Sequence, residues 1–154
     1  MERLTLTVRH GRPEDAPLIA DMNARMAQET EHKTLDRDVL LEGVRAVLAD
    51  PSRGRYYVAE LGGALVGQTA ITLEWSDWRN GWIWWLSSVY VHSSARRQGV
   101  FRALYRHILD EARAAGDVVG LRLYVERDNQ AAQQAYLKLG MERTTYQVLE
   151  RCPL

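Results

Sequence analysis

The sequence predicts a mixed α/β (α+β) fold, a mostly antiparallel sheet whose later strands are joined through helices. Three observations carry this. Two helix-like stretches precede three consecutive strand-like runs. The last two of those runs flank Asn80-Gly81, a strong hairpin signal, because a type I′ turn needs positive φ at both central residues. From Ser88 onward strand-like and helix-like segments alternate, as in βαβ units. The expected order is β-α-α-β-β-β-α-β-α-β within one domain, residues 1–154.

Each element has its own signal. Leu4 to Arg9 alternates apolar and polar residues and reads as a strand. Pro13, Glu14 and Asp15 suit a helix start, and Leu18, Ile19, Met22 and Met26 recur at helical spacing. Asp36 is placed to cap a second helix whose apolar face is Val39, Leu40, Val44, Val47 and Leu48, with Pro51 as its stop. Strands follow over Arg55–Leu61, Ala64–Trp75 and Trp82–Val91, the first two joined by Gly62-Gly63. A helix from Gly99 to about Ala115 carries an apolar stripe of Val100, Phe101, Leu104, Tyr105, Ile108, Leu109 and Ala112, and Gly116 ends it. Val118–Glu126 reads as a strand, Asn129–Gly140 as a helix, and Met141–Glu150 as a last strand.

Composition narrows the function. Twenty basic and twenty acidic residues among 154 give no net charge, which argues against nucleic acid as the main partner. The single cysteine, Cys152, allows no internal disulfide and fits a reducing cytoplasm. The start of the chain has no signal-peptide pattern, and no apolar run is long enough to span a membrane. The four histidines are scattered without ligand spacing, so no metal is expected.

One junction points to a ligand. "SVYVHSSARRQGVF" runs from a strand through a short glycine-containing loop into a helix. The first amides of a helix lack intrahelical acceptors, and the helix dipole adds positive character there. Arg96, Arg97 and Arg102 surround this point, which suits a diphosphate; a solvated arginine run is the competing reading. No lysine-serine/threonine pair follows the glycine, and G-x-G-x-x-G is absent, so neither a P-loop nor a dinucleotide fold is supported.

This stretch resembles motif A of the GNAT superfamily of N-acetyltransferases, a strand followed by Arg/Gln-x-x-Gly-x-Gly/Ala and a helix. Arg96 matches the leading position and Gly99 the first glycine, while Phe101 departs from the Gly/Ala position. A second segment, "NQAAQQAYLKLG", resembles the family's Asn-x-x-Ala-x-x-x-Tyr-x-x-x-Gly through Asn129, Ala132, Tyr136 and Gly140. The element order fits as well, so the resemblance covers essentially the whole chain.

The resemblance implies helices on both faces of the sheet and a central parallel strand pair that splays apart. It implies acetyl-CoA as acyl donor. The amides of Val89, Tyr90 and Val91 would hold the acetyl and pantetheine groups. Those of Arg97, Gln98, Gly99, Val100 and Phe101 would hold the pyrophosphate, with Arg96 and Arg102 beside them. Asn129 and Ala132 would follow the pantetheine arm, and Tyr136 would be the general acid that protonates the departing thiolate. Tyr136 as an ordinary packed aromatic is the alternative. Phe101 still offers an amide, and its ring is expected to turn toward the helix stripe at Leu104 and Tyr105.

The acceptor is read as an amine on a small molecule, attacking directly in a ternary complex. A protein acetyltransferase and a non-catalytic acyl-CoA-binding module of the same fold are the alternatives. The strand Trp82–Val91 has no carboxylate to deprotonate the amine; Glu74, Glu126, His92 and the Glu31/His32 pair are nearby substitutes, and a water chain is another. All five tryptophans fall between Trp75 and Trp85, with Trp82 and Trp84 expected on one strand face and Trp85 on the other. They would stabilise the hairpin, wall the acceptor pocket with Glu74 or Asp77, or serve a homodimer contact.

Overall fold

The computed structural model describes residues 3–154, which divide into two compact units that meet after Tyr124. In the first unit the early elements form much as their patterns require. β1 is Leu6–His10. The expected helix start at Pro13 is a short 3₁₀ turn, Pro13–Asp15, that leads into α1, Ala16–Glu31. Asp15 fixes this corner: its carboxylate accepts from the Arg12 amide (2.7 Å) and pairs with the Arg9 guanidinium (2.7 and 3.0 Å). α2 is Arg37–Ala49, and Asp36 caps it by accepting from the amides of Asp38 and Val39.

Strands β2 (Arg55–Leu61), β3 (Ala64–Ser76), β4 (Gly81–Val91) and β5 (Val118–Leu123) join β1 in one sheet, ordered β1-β2-β3-β4-β5. β1 to β4 pair antiparallel, and β5 runs parallel to β4 after crossing over through α3, Val100–Ala115. Helices cover both faces. On one, Ala16, Ile19 and Ala20 of α1 and Val44 of α2 pack on Tyr56, Val58 and Ala70. On the other, α3 lies so close that a Cβ on Gly67 of β3 would stand 2.8 Å from a Val100 methyl. Fully buried Leu104 and Ile108 hold this second layer.

The β3–β4 hairpin forms, but not with the expected turn. Ser76 pairs with Gly81, so the loop is the four residues Asp77–Asn80, and only Asn80 has positive φ (49°). Gly81 is the first residue of β4 and is needed for space. A Cβ there would lie 2.4 Å from Val119 Cγ1 and 2.9 Å from the Asp117 carbonyl. β5 therefore approaches β4 where β4 carries no side chain.

In the second unit, α4 spans Gln130–Lys138 and ends near Gly140 (φ 97°). The expected strand Met141–Glu150 does not form. Alternation predicts a strand only where one face is buried, and this segment buries none: Tyr146 is 69%, Val148 68% and Leu149 92% exposed. Five strands are found among the described residues where six were expected.

Candidate active site

β4 changes character halfway along. From Trp82 to Leu86 it is laddered to β5, but the pairing ends at Leu86–Leu123 while β4 continues to Val91. The remaining stretch, Ser87–Val91, keeps β3 on one side and has no β5 partner on the other. β5 itself ends at Leu123, so the parallel pairing stops in the part of β4 where the resemblance places the splay. This edge of β4 therefore carries no strand ladder from Ser87 to Val91.

A bulge sits at the point where pairing stops. Gln68 opposes Tyr90 while Ala70 opposes Ser87, so β4 carries one more residue than β3 here. Ser88 takes up the excess at φ 51°, a left-handed conformation uncommon for a residue with a Cβ. The carbonyls this turns away are satisfied by buried side chains. The Thr69 hydroxyl donates to Ser87 O (3.1 Å), and the Gln68 amide donates to Ser88 O (3.3 Å) and to Asn23 Oδ1 (2.7 Å). Asn23 donates in turn to the Tyr56 hydroxyl (3.1 Å). This chain ties α1 and β2 to the bulge and holds its strained backbone in place.

Beyond Val91 the chain makes a 3₁₀ turn, Ser93–Ala95, capped by His92, whose ring nitrogen accepts from the Ser94 amide. Arg97 (φ 64°) and Gly99 (φ 76°) then both adopt the left-handed conformation on either side of Gln98, and Gly99 is the N-cap of α3. Left-handed residues alternating with others turn successive amides toward one side and form an anion-binding concavity. Arg96, Arg97, Gln98 and Gly99 are exposed, and Val100 buries its side chain beneath them. A Cβ on Gly99 would meet no atom within 4 Å, so backbone conformation rather than crowding demands glycine here. The Phe101 ring lies beside Tyr105, centroids 6.2 Å apart, on the helix stripe.

The arginines divide in two. Arg96, though exposed, is tied to the protein: its Nε donates to Val91 O (3.0 Å), its Nη2 pairs with Glu29 of α1 (2.6 Å), and its guanidinium lies over the Tyr90 ring. Glu29 also accepts from the Tyr90 hydroxyl (2.9 Å). The Arg96 guanidinium, aided by Tyr90, holds the Glu29 carboxyl below the ordinary carboxylate range. Arg97 and Arg102 are exposed at the loop and the first turn of α3.

In the second unit, Asn129 is the N-cap of α4, its side-chain oxygen accepting from the Ala132 amide (3.2 Å). Asn129, Ala132 and Tyr136 are half-buried and fall on one helix face. Burial pushes the Tyr136 phenol above its ordinary pKa.

Of the substitutes for a base, Glu74, Glu126 and His92 are engaged elsewhere, while Glu31 ends α1, 4.0 Å from Lys33, and His32 is its C-cap. Glu74 accepts from the Trp85 indole (2.7 Å) and lies 3.6 Å from Arg122. Glu126 accepts from the Asp128 amide in the turn before α4, and His92 caps the 3₁₀ turn. The tryptophans alternate as expected: Trp82 and Trp84 line a groove with Arg55 and Leu73, while Trp85 stacks near Tyr124. Trp75 and Trp82 form a cross-strand edge-to-face pair, centroids 5.0 Å apart, and Trp78 at the hairpin tip is exposed. Sequence reasoning missed Glu29, Asn23, Gln68 and Ser88. Gln68 alone left a trace, as a lone amide within the apolar run "ALVGQTAI".

Comparison with known proteins agrees with this architecture. The acetyltransferase (GNAT) family model matches residues 19–141. The crystal structure of a possible acetyltransferase from Clostridium difficile 630 is 40% identical, with 99% of each chain covered and a TM-score of 0.90. A predicted acetyltransferase from Clostridium acetobutylicum, solved with acetyl-CoA, shares the fold at 16% identity, 96% coverage of each chain and a TM-score of 0.78. So does a ribosomal-protein-alanine N-acetyltransferase from Brucella melitensis biovar Abortus 2308, at 18% identity, 96% coverage of this chain and 99% of that one, and a TM-score of 0.79. No curated protein is matched in sequence. A family match over most of the chain, a 40% identical structure covering nearly all of it, and the open half of β4 leading into a left-handed loop have one common explanation: the chain belongs to the acetyltransferase (GNAT) family.

Proposed function

We propose that the protein is an N-acetyltransferase that moves the acetyl group of acetyl-CoA to a primary amine of a small molecule. The observation that carries this reading is the stretch Ser87–Val91, free of β5, leading through one 3₁₀ turn into the left-handed loop at Arg97–Gly99. An extended pantetheine arm needs a strand-like row of amides, a pyrophosphate needs converging amides, and the two lie here in chain order. The backbone of Val89–Val91 would orient the acetyl carbonyl and pantetheine, and the amides from Arg97 to Phe101 would hold the pyrophosphate. Arg97 and Arg102 would offset its charge. Arg96, engaged with Glu29 and Val91 O, would position the loop. Asn129 and Ala132 would flank the arm.

Bound acetyl-CoA supplies an activated thioester. The chain's part is to bring a neutral amine nitrogen to the acetyl carbon and to deliver the Tyr136 phenolic proton to the sulfur as the C–S bond breaks. The amine's own proton would leave through water, the strand Trp82–Val91 having no carboxylate to take it. A phenol raised by burial stays protonated at neutral pH, which suits an acid. Activity dependent on it would persist through neutral pH and fall only as pH rises through that raised pKa, above about 10.

The test is release of free thiol from acetyl-CoA with a panel of small amines and with lysine-containing peptides. Amine-dependent release is expected with a small amine, and Tyr136→Phe should lower kcat by about 100-fold or more. Thiol release on peptides alone would favour a protein acceptor. Acetyl-CoA binding without turnover on any amine would make the protein a binding module.

A further inference from the structure

Toward the other end of α3, four side chains converge that lie far apart in the chain. His10 ends β1, Tyr57 stands in β2, and His107 and Glu111 lie one turn apart on α3. His10 Nε2 is 2.7 Å and His107 Nε2 3.1 Å from the same carboxylate oxygen, Glu111 Oε1. The Tyr57 hydroxyl donates to the other oxygen, Oε2, at 2.5 Å. One ligand atom from each of His10, His107 and Glu111 falls within 4.8 Å of the others. Tyr57 is fully buried, and its ring meets both imidazoles edge-on, centroids 4.8 and 5.7 Å away, so both rings are held in orientation.

The geometry points to a divalent-metal site in which His10 Nε2, His107 Nε2 and Glu111 Oε1 bind a zinc-class ion. Two imidazole nitrogens and one carboxylate oxygen form a donor set that borderline ions such as Zn²⁺ favour over Mg²⁺ or Ca²⁺. Metal–ligand bonds of about 2.0–2.2 Å in tetrahedral geometry set ligands about 3.4 Å apart. The two imidazole–carboxylate spacings therefore widen by less than about 1 Å, and the imidazole–imidazole spacing, within 4.8 Å, closes by no more than about 1.4 Å, both within reach of side-chain rotation. Tyr57 plays the outer partner that fixes the carboxylate, as second-layer groups do at metal centres. The site is reachable: the His10 side chain is 53% exposed, and Glu111 also borders the groove lined by Arg55, Trp82 and Trp84, about 570 Å³ in volume. Water can fill the fourth position. Glu111 lies about 16 Å along α3 from Val100, at 1.5 Å per residue, so the ion would clamp β1 to α3 and take no part in acyl transfer.

The test uses the full chain, stripped with a chelator and titrated with ZnCl₂ by calorimetry and with CoCl₂ by visible absorption. Saturable binding of a single ion, a higher melting temperature with Zn²⁺, and the ligand-field bands of nitrogen- and oxygen-bound Co²⁺ are expected. His10→Ala, at a half-exposed strand end where folding tolerates the change, should abolish saturable binding, as should His107→Ala. Tyr57→Phe should weaken it by about 10- to 100-fold. His32→Ala, just past the end of α1 and outside this cluster, should leave it unchanged. Absence of saturable binding in the native chain, or binding unaltered by His10→Ala, would overturn the assignment.

Discussion

The two halves of β4 are built on opposite principles. From Trp82 to Leu86 the strand is hydrogen-bonded on both sides and faced with aromatic contacts: Trp75 on Trp82, the Arg55 guanidinium over Trp84, and Tyr124 on Trp85. From Ser87 to Val91 it lacks β5, bulges, and holds Ser88 at positive φ with Gln68, Thr69 and Asn23 behind it. The first half is laddered on both edges. The second is laddered on one edge, and buried side chains hold its bulged backbone from the rear. On the proposed reading, stability and binding fall to different stretches of one strand, and substitutions should separate them.

The largest expected effect is on the paired half. Trp84 is 4% exposed, and Trp84→Ala should lower unfolding free energy by about 3–5 kcal/mol. Denaturant unfolding checks this, and acetyl-CoA affinity of the folded protein should hold near the native value. A parallel loss of affinity would break the division. Next comes the loop. Gly99→Val meets no neighbouring atom, but it forces a β-branched residue to a φ of 76°. The left-handed conformation costs about 1–2 kcal/mol for a residue with a Cβ, so acetyl-CoA affinity should fall about tenfold, measured by calorimetry. The smallest effect separates two roles for Arg96. Glu29→Gln removes a half-exposed ion pair and should change stability by less than about 1 kcal/mol. If Arg96 positions the loop, acetyl-CoA binding weakens a few-fold; if Arg96 is a phosphate ligand, its release strengthens binding.

Much of this was legible in the sequence, for reasons that also mark where it stopped. Helical stripes, the Asp36 cap and the glycine stop at Gly116 are local, and the structure places α1, α2, α3 and α4 within a few residues of expectation. The loop was legible because strand, glycine and helix are contiguous. The alternation in Met141–Glu150 misled because period two describes a face without supplying anything to cover it. Asn80-Gly81 located the hairpin, but Gly81 answers to the approach of Val119 rather than to the turn. Partnerships across the chain left no trace: Glu29 meets Arg96 from 67 residues away, and His10 meets Glu111 from 101. Histidines that looked scattered in the sequence therefore include two that share one carboxylate oxygen.

The division of β4 is tested most directly by amide hydrogen exchange with and without acetyl-CoA. The account predicts that the ligand slows exchange at Val89–Val91 and at Arg97–Phe101 and leaves Trp82–Leu86, already laddered to β5, unchanged. Slowing confined to Trp82–Leu86, or none at either the open strand or the loop at saturating acetyl-CoA, would contradict it.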